Sequence, residues 1–184
     1  VVVPHDWAID KPFDMRIDMQ SVQVLEDGDK APKMRTGRTG ALPAFGVGYY
    51  RTRIDSGECM KGKRIHIEFD GAMSLSKVYL NGKYVGEWPY GYSSFAFDLT
   101  DKWNYEGENV LAVRLESKPE SSRWYPGGGI YRNVRLVVTE PVSVAHWGTY
   151  VTTPKVSSES VTVDIQTHVD NKTDGKVEVR LESL

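Results

Sequence analysis

One cysteine, no excess of positive charge and no long apolar run narrow the reading of this 184-residue chain before any motif is considered. Cys59 alone cannot close an intramolecular disulfide, and it is expected to sit as a small, partly buried residue. Lysine and arginine total 23 against 25 acidic residues, a formal net charge of -2, which leaves no electrostatic footprint for nucleic acid or an anionic membrane. Apolar runs such as Val1-Val2-Val3 and Leu136-Val137-Val138 fall far short of the ~20 residues of a spanning helix. No stretch carries a sustained helical period. The chain has neither an initiator methionine nor a charged-then-apolar leader, so it is expected to be a processed form or a piece of something longer. Cytoplasmic and extracytoplasmic compartments both stay open.

What is present is alternation with a period of two. Ile65, Ile67 and Phe69 share one strand face and His66 the other. Leu111, Val113 and Leu115 do the same, as do Val134, Leu136 and Val138, and Phe95, Phe97 and Leu99. Tyr49 to Ile54 reads as a further strand, and Val1 to Val3 as a short one stopped by Pro4. Asn81-Gly82 sits between Lys77–Leu80 and Lys83–Gly86 as a two-residue hairpin turn, because a type I′ turn needs positive φ at both central positions. That register sets Tyr79 against Tyr84 and Val78 against Val85. Short strands at regular spacing predict an antiparallel all-β fold, and the need to manage its edges suits a jelly-roll β-sandwich.

After Glu140-Pro141 the pattern continues with Val161, Val163, Ile165 and Val169, and again with Val177, Val179 and Leu181, around a polar hairpin loop at Asp170–Gly175. These read as the first strands of a second sandwich. The segment has roughly half of the ~100 residues that an immunoglobulin-like sandwich uses. Half a sandwich leaves half a core uncovered, which again points to a longer protein. The expected organisation is a jelly-roll domain over residues 1–140 and a partial immunoglobulin-like β-sandwich over residues 141–184.

Three stretches read as loops with chemistry in them. Residues 27 to 48 hold five glycines, two prolines, Lys33, Arg35 and Arg38. Trp88-Pro89-Tyr90-Gly91-Tyr92 is an aromatic loop. Ser121 to Arg132 brackets Pro126 and Gly127-Gly128-Gly129 with Arg123, Trp124, Tyr125, Tyr131 and Arg132. Aromatic rings stack on apolar sugar or base faces, and arginine offers a fork of donors. The alternative is that Trp124 and Tyr125 only plug the end of a sandwich, since rim loops serve both purposes. At the amino terminus, Asp6 is placed to accept from neighbouring backbone N–H groups, with His5 and Trp7 beside it.

Other chemistries find no support. His5, His66, His146 and His168 show no metal-ligand spacing, and no cofactor can be assigned. Ser121 and Ser122 are not set in a Gly-x-Ser-x-Gly elbow, and the triple glycine lacks the lysine and helix of a phosphate loop. A glycosidase needs two carboxylates about 5–5.5 Å or roughly 6.5–9.5 Å apart. Asp6, Asp70, Asp98 and Asp101 are scattered over turns and strand ends, where capping is the ordinary role, and no pair can be assigned.

Five stretches taken together resemble the N-terminal sugar-binding domain of family 2 glycoside hydrolases. They are Pro4-His5-Asp6-Trp7, Gly48-Tyr49-Tyr50-Arg51, Val78 to Gly86 around Asn81-Gly82, Gly91 to Thr100, and Arg123 to Val134 around the triple glycine. Their order along the chain agrees with that family, and residues 141–184 are similar to the start of its immunoglobulin-like domain. The resemblance implies a TIM barrel further on that holds both catalytic glutamates and performs retaining hydrolysis of β-linked sugars. The family's acid/base glutamate follows an asparagine, and no Asn-Glu pair occurs here, so catalysis is expected beyond Leu184.

In β-galactosidases of that family the first domain lends loop residues to the rim of the barrel's sugar pocket. The corresponding candidates are Arg123, Trp124 and Tyr125, with His5, Asp6 and, in the glycine-rich loop, Arg38. Some members place an aspartate just before the loop tryptophan, where this chain has Ser122 and Arg123, so an acidic sugar contact does not carry over. The implied partners are a carbohydrate substrate, the C-terminal barrel and further copies of the enzyme. The leading reading is the amino-terminal part of a β-galactosidase, with glucuronide, mannoside and glucosaminide substrates still open; a stand-alone carbohydrate-binding or structural sandwich module is the competing reading. The 184-residue chain by itself is expected to give no turnover of a nitrophenyl β-galactoside; measurable release of nitrophenol by the purified chain would contradict this.

Overall fold

The computed structural model describes residues 1–11, 21–24, 28, 30–31, 33–36, 46–118 and 127–182. Among them there is no α-helix; strands are joined by turns and two one-turn 3-10 segments, Glu58–Met60 and Thr100–Lys102. Eleven strands follow in chain order: β1 Ser21–Val24, β2 Lys33–Thr36, β3 Gly46–Asp55, β4 Arg64–Phe69, β5 Ser76–Leu80, β6 Lys83–Trp88, β7 Phe95–Asp98, β8 Glu108–Ser117, β9 Val134–Thr139, β10 Val142–Val156 and β11 Val161–Asn171.

Two antiparallel sheets form the sandwich. One has the order β3-β8-β5-β6 and the other β7-β4-β9. The period-two pattern decides which faces meet. Ile65, Ile67 and Phe69 of β4 pack against Val78 and Leu80 of β5 and Leu111, Val113 and Leu115 of β8, with Phe95, Leu99, Trp103 and Ile130 closing the core. Burying each such large side chain contributes about 1.5–3 kcal/mol, so the alternation is the main energetic reason for the sheet pairing. His66 lies on the outer face beside Asp98, which also binds Arg64 and accepts from the Thr100 amide. A two-pronged pair between Asp70 and Arg135, at 2.7 and 2.9 Å, holds the Asp70 carboxyl below its ordinary value and ties the ends of β4 and β9 together.

Several expectations change. Val1 to Val3 form no strand: Val1 and Val2 are exposed, and backbone pairing begins only after the proline, at His5 and Trp7. Cys59 is exposed, because the one-turn segment that carries it is anchored through Met60, which turns toward the core. Lys33 and Arg35 lie in β2, paired with β1 from Ser21↔Thr36 to Val24↔Lys33, so part of the stretch read as a loop is a ladder. In the β5–β6 hairpin, Asn81 and Gly82 take φ of 52° and 75°, as the turn requires, and Tyr79 pairs with Tyr84. Val78, however, pairs with Gly86, and Val85 is the extra residue of a bulge. A Cβ at Gly86 would lie 2.5 Å from the Phe97 ring, so the bulge puts the one residue without a side chain where that ring packs.

The sequence pattern missed β10, the longest strand, which pairs with β11 in a separate hairpin. His146 on β10 shares a 2.7 Å hydrogen bond with the Glu68 carboxylate on β4 and stacks on Trp147, joining this hairpin to the sandwich. Asn171 ends β11 by accepting from the Thr173 amide and donating to the Gly175 carbonyl. Residues 176–182 are in no strand, and Val177, Val179 and Leu181 are exposed. Alternation is not sufficient for a strand, which also needs a neighbour for its ladder.

A polar pair, with Asn109 buried and Asn81 at the exposed turn, holds the far end of the sandwich. Asn109, 0% exposed, accepts from the Asn104 amide at 2.8 Å and from the Asn81 side chain at 2.9 Å, and donates to the Asn104 carbonyl at 2.8 Å. Asn81 in turn accepts from the Val110 amide at 2.8 Å. The hairpin turn is thereby fastened to the loop that leads into β8. Replacing Asn109 by Ala leaves several of these groups without partners in a dry site, and the expected loss is about 2–3 kcal/mol in chemical denaturation. A change under about 0.5 kcal/mol would show that water or neighbours replace the network.

Candidate functional site

The two sheets bring one set of ends together. Gly46 at the start of β3 pairs with Ser117 at the end of β8, and Ser76 at the start of β5 pairs with Trp88 at the end of β6. Phe69, at the end of β4, pairs with Val134 and with Phe95. Segments 70–75, 89–94 and 127–133 therefore meet at this end, as do the described residues that flank 37–45 and 119–126. Arg38, Arg123, Trp124 and Tyr125 lie outside the described residues.

The amino-terminal strap locks this end. The His5 amide donates to the Ile130 carbonyl at 2.7 Å and the Trp7 amide to the Gly128 carbonyl at 2.8 Å. Asp6 accepts from the Ala8 amide at 2.8 Å and from the Gly128 amide at 3.2 Å, the capping role expected of it. His5 Nδ1 and the Tyr50 hydroxyl share a 2.7 Å hydrogen bond. Burial raises the Tyr50 hydroxyl above the ordinary tyrosine value; a backbone hydrogen bond from Ile130 opposes the rise, and the Asp6 charge adds to it. Tyr50 thus remains a neutral donor and acceptor at the base of the strap.

On its other side the glycine strip pairs with Met73: the Met73 amide donates to the Gly129 carbonyl at 2.8 Å, and the Gly129 amide to the Met73 carbonyl at 3.1 Å. Residues 127–130 are therefore the middle of a three-segment lattice. The glycines are needed for space as well as for conformation. A Cβ at Gly128 would lie 2.8 Å from the Trp7 indole, and one at Gly48 would lie 2.5 Å from the opposite part of the same ring. Trp7 is sandwiched between two bare backbones. Gly129 has φ of +136°, and its Cβ would lie 2.4 Å from the His5 carbonyl oxygen.

A cleft of about 1250 Å3 opens between the sheets beside the strap. Core side chains such as Val3, Ile67, Leu111 and Leu136 line much of it, so it is chiefly sandwich interior and offers few polar groups to a sugar. Among the described residues, no group of three or more His, Cys, Asp or Glu could hold a metal ion.

Of the residues singled out from the sequence, the structure brings His5 onto Ile130 and Asp6 onto Gly128, which follow residues 121–126 in the chain. It also brings in Tyr50, Met73 and Trp7, whose part was not legible. The motif Gly48-Tyr49-Tyr50-Arg51 was visible, but only the packing shows that Tyr50 faces His5 while Tyr49 faces solvent.

The sequence profile described as "Glycosyl hydrolases family 2, sugar binding domain" matches residues 1–141. This chain belongs to glycosyl hydrolase family 2. It is 41% identical to the β-galactosidase BoGH2A of Bacteroides ovatus over 94% of its own length and 18% of that protein's. To a putative β-glucuronidase of Formosa agariphila it is 32% identical, over 91% of the chain and 14% of the relative. A solved family 2 glycosyl hydrolase from Bacteroides cellulosilyticus superposes with a TM-score of 0.78 at 31% identity, covering 92% of this chain and 20% of that one. The chain thus spans about a fifth or less of the relatives it matches.

The strip should tolerate no side chain. Gly129→Ala is expected to cost about 2–4 kcal/mol, from positive φ and a backbone clash together. Gly57→Ala, with φ of -89° and only the Cys59 sulfur nearby, should change stability by less than about 0.5 kcal/mol. Equal costs in denaturant unfolding would refute the packing account.

Proposed function

We propose that this chain is the amino-terminal part of a retaining β-glycosidase that removes terminal β-linked sugars, with β-galactosides the favoured substrates. The observation that carries this reading is the 41% identity, over 94% of the chain, to a β-galactosidase. The catalytic glutamates, on this reading, lie in a barrel outside residues 1–184. On this reading residues 1–140 are the sugar-binding jelly roll and residues 141–184 the first strands of an immunoglobulin-like domain. This chain's own part is positional: the strap, Tyr50 and the glycine strip hold the root of the 121–126 loop, so that Arg123, Trp124 and Tyr125 are presented at the rim of the sugar pocket, with His5, Asp6 and Arg38 nearby. A rigid root keeps a contacting side chain within the small displacement that productive binding allows.

A β-glucuronidase is the second reading, and one residue favours it. Arg123 stands where some β-galactosidases have an acidic residue, and a guanidinium fork suits the carboxylate of a uronic acid.

The full-length protein assayed on nitrophenyl β-galactoside and β-glucuronide separates the two. We expect kcat/KM for the galactoside to exceed that for the glucuronide by at least about 100-fold, and Arg123→Ala to lower it by about tenfold. The reverse preference would establish the second reading. An unchanged kcat/KM in Arg123→Ala would remove that residue from the substrate contacts.

A further inference from the structure

The aromatic loop between β6 and β7 is built in an unusual way for a connection. Its central Gly91 is buried, while Tyr90 and Tyr92 on either side are 59% and 43% exposed. The glycine is held from three directions. Its carbonyl accepts from the Tyr131 hydroxyl at 2.8 Å, a Cβ on it would lie 2.3 Å from the Met73 sulfur, and the adjoining Pro89 carbonyl accepts from the Leu75 amide at 3.2 Å. Trp88 braces the loop by stacking on Phe95 and donating from its indole to Ser93 at 3.0 Å. The two tyrosine rings stand 5.6 Å apart at 63°. Arg132, exposed, lies close enough to Tyr131 to affect it, together with Tyr90 and Tyr92.

We propose that Tyr90 and Tyr92 form a stacking platform for a further sugar ring of a β-linked oligosaccharide whose terminal residue occupies the sugar pocket of the whole enzyme. The inference rests on the reading of the chain as part of a β-glycosidase. Met73 connects the two places: its backbone pairs with Gly129, at the root of the rim loop, and its side chain packs on Gly91, between the tyrosines. The platform and the rim-loop root thus belong to one rigid block. A pyranose presents an apolar C–H face, and an exposed tyrosine ring answers it by stacking. Two inclined rings receive one face and one edge of a sugar, which a flat apolar patch does not. Because the loop is already fixed, little conformational freedom is lost on binding, which is the condition for a useful exposed aromatic contact.

The test is the full-length protein with Tyr90→Ala/Tyr92→Ala, and with Tyr90→Phe/Tyr92→Phe, on a nitrophenyl monosaccharide and on a β-linked tetrasaccharide with the same terminal sugar. The alanine pair is expected to raise KM for the tetrasaccharide roughly five- to tenfold, the loss of one good aromatic anchor, and to leave the monosaccharide constants unchanged. The phenylalanine pair, which keeps the rings, is expected to keep KM within about twofold of wild type. An equal effect on both substrates would mean the rings only pack against another domain, and no effect on either would mean they touch no substrate; both overturn the platform. Phenylalanine variants as weak as alanine ones would overturn stacking. A wild-type protein inactive on every β-glycoside would instead remove the underlying functional reading, and the platform with it.

Discussion

The close approach of three backbones around Gly127 to Ile130 is the constraint on which the rest of this end of the molecule depends. His5 and Trp7 donate to the strip from one side and Met73 pairs with it from the other, so side chains are excluded from its middle. Glycine makes such a lattice feasible, and it brings the amino terminus, the β4–β5 connection and the approach to β9 within hydrogen-bonding distance. Trp7 then fills the space between Gly48 and Gly128 that the missing side chains leave.

The sandwich divides its work between two ends. One is closed by Asn81 and Asn109, whose amides satisfy backbone groups in the turn and in the loop before β8. Such a network fixes register, because its amides are spent on one another and on backbone groups. The other end presents exposed aromatics over a buried glycine and a buried methionine. The two ends are thereby closed with different residue types on the same strands.

The β10–β11 hairpin follows another logic. It leaves Val144, Trp147, Tyr150, Val151, Val163 and Ile165 exposed, and its side-chain link to the sandwich runs through His146 and Glu68. An isolated two-stranded ribbon is marginal in water, and these exposed apolar faces fit the proposed reading of the segment as the first strands of a further sandwich.

Much of the fold was readable from residue order. The faces of β4 and β8, the Asn81-Gly82 turn and the all-β class follow from the period of two and from turn chemistry, which are local properties that hold whatever the strands pair with. The capping role of Asp6 was also local, since it rests on short-range backbone geometry. Other features depend on neighbours distant in the chain. The bulge at Val85 exists because Phe97 needs the space beside Gly86. Strand β10 was missed because its pattern is irregular and it is held by pairing with β11, whereas residues 176–182, with a better pattern, form no strand. For the site, the sequence by itself determined which loops carry aromatics, arginines and glycines. Only the tertiary structure decided that His5, Tyr50, Met73 and Gly129 share one lattice and that Gly91 sits on the same methionine, because packing between segments distant in the chain leaves no periodic trace in the sequence.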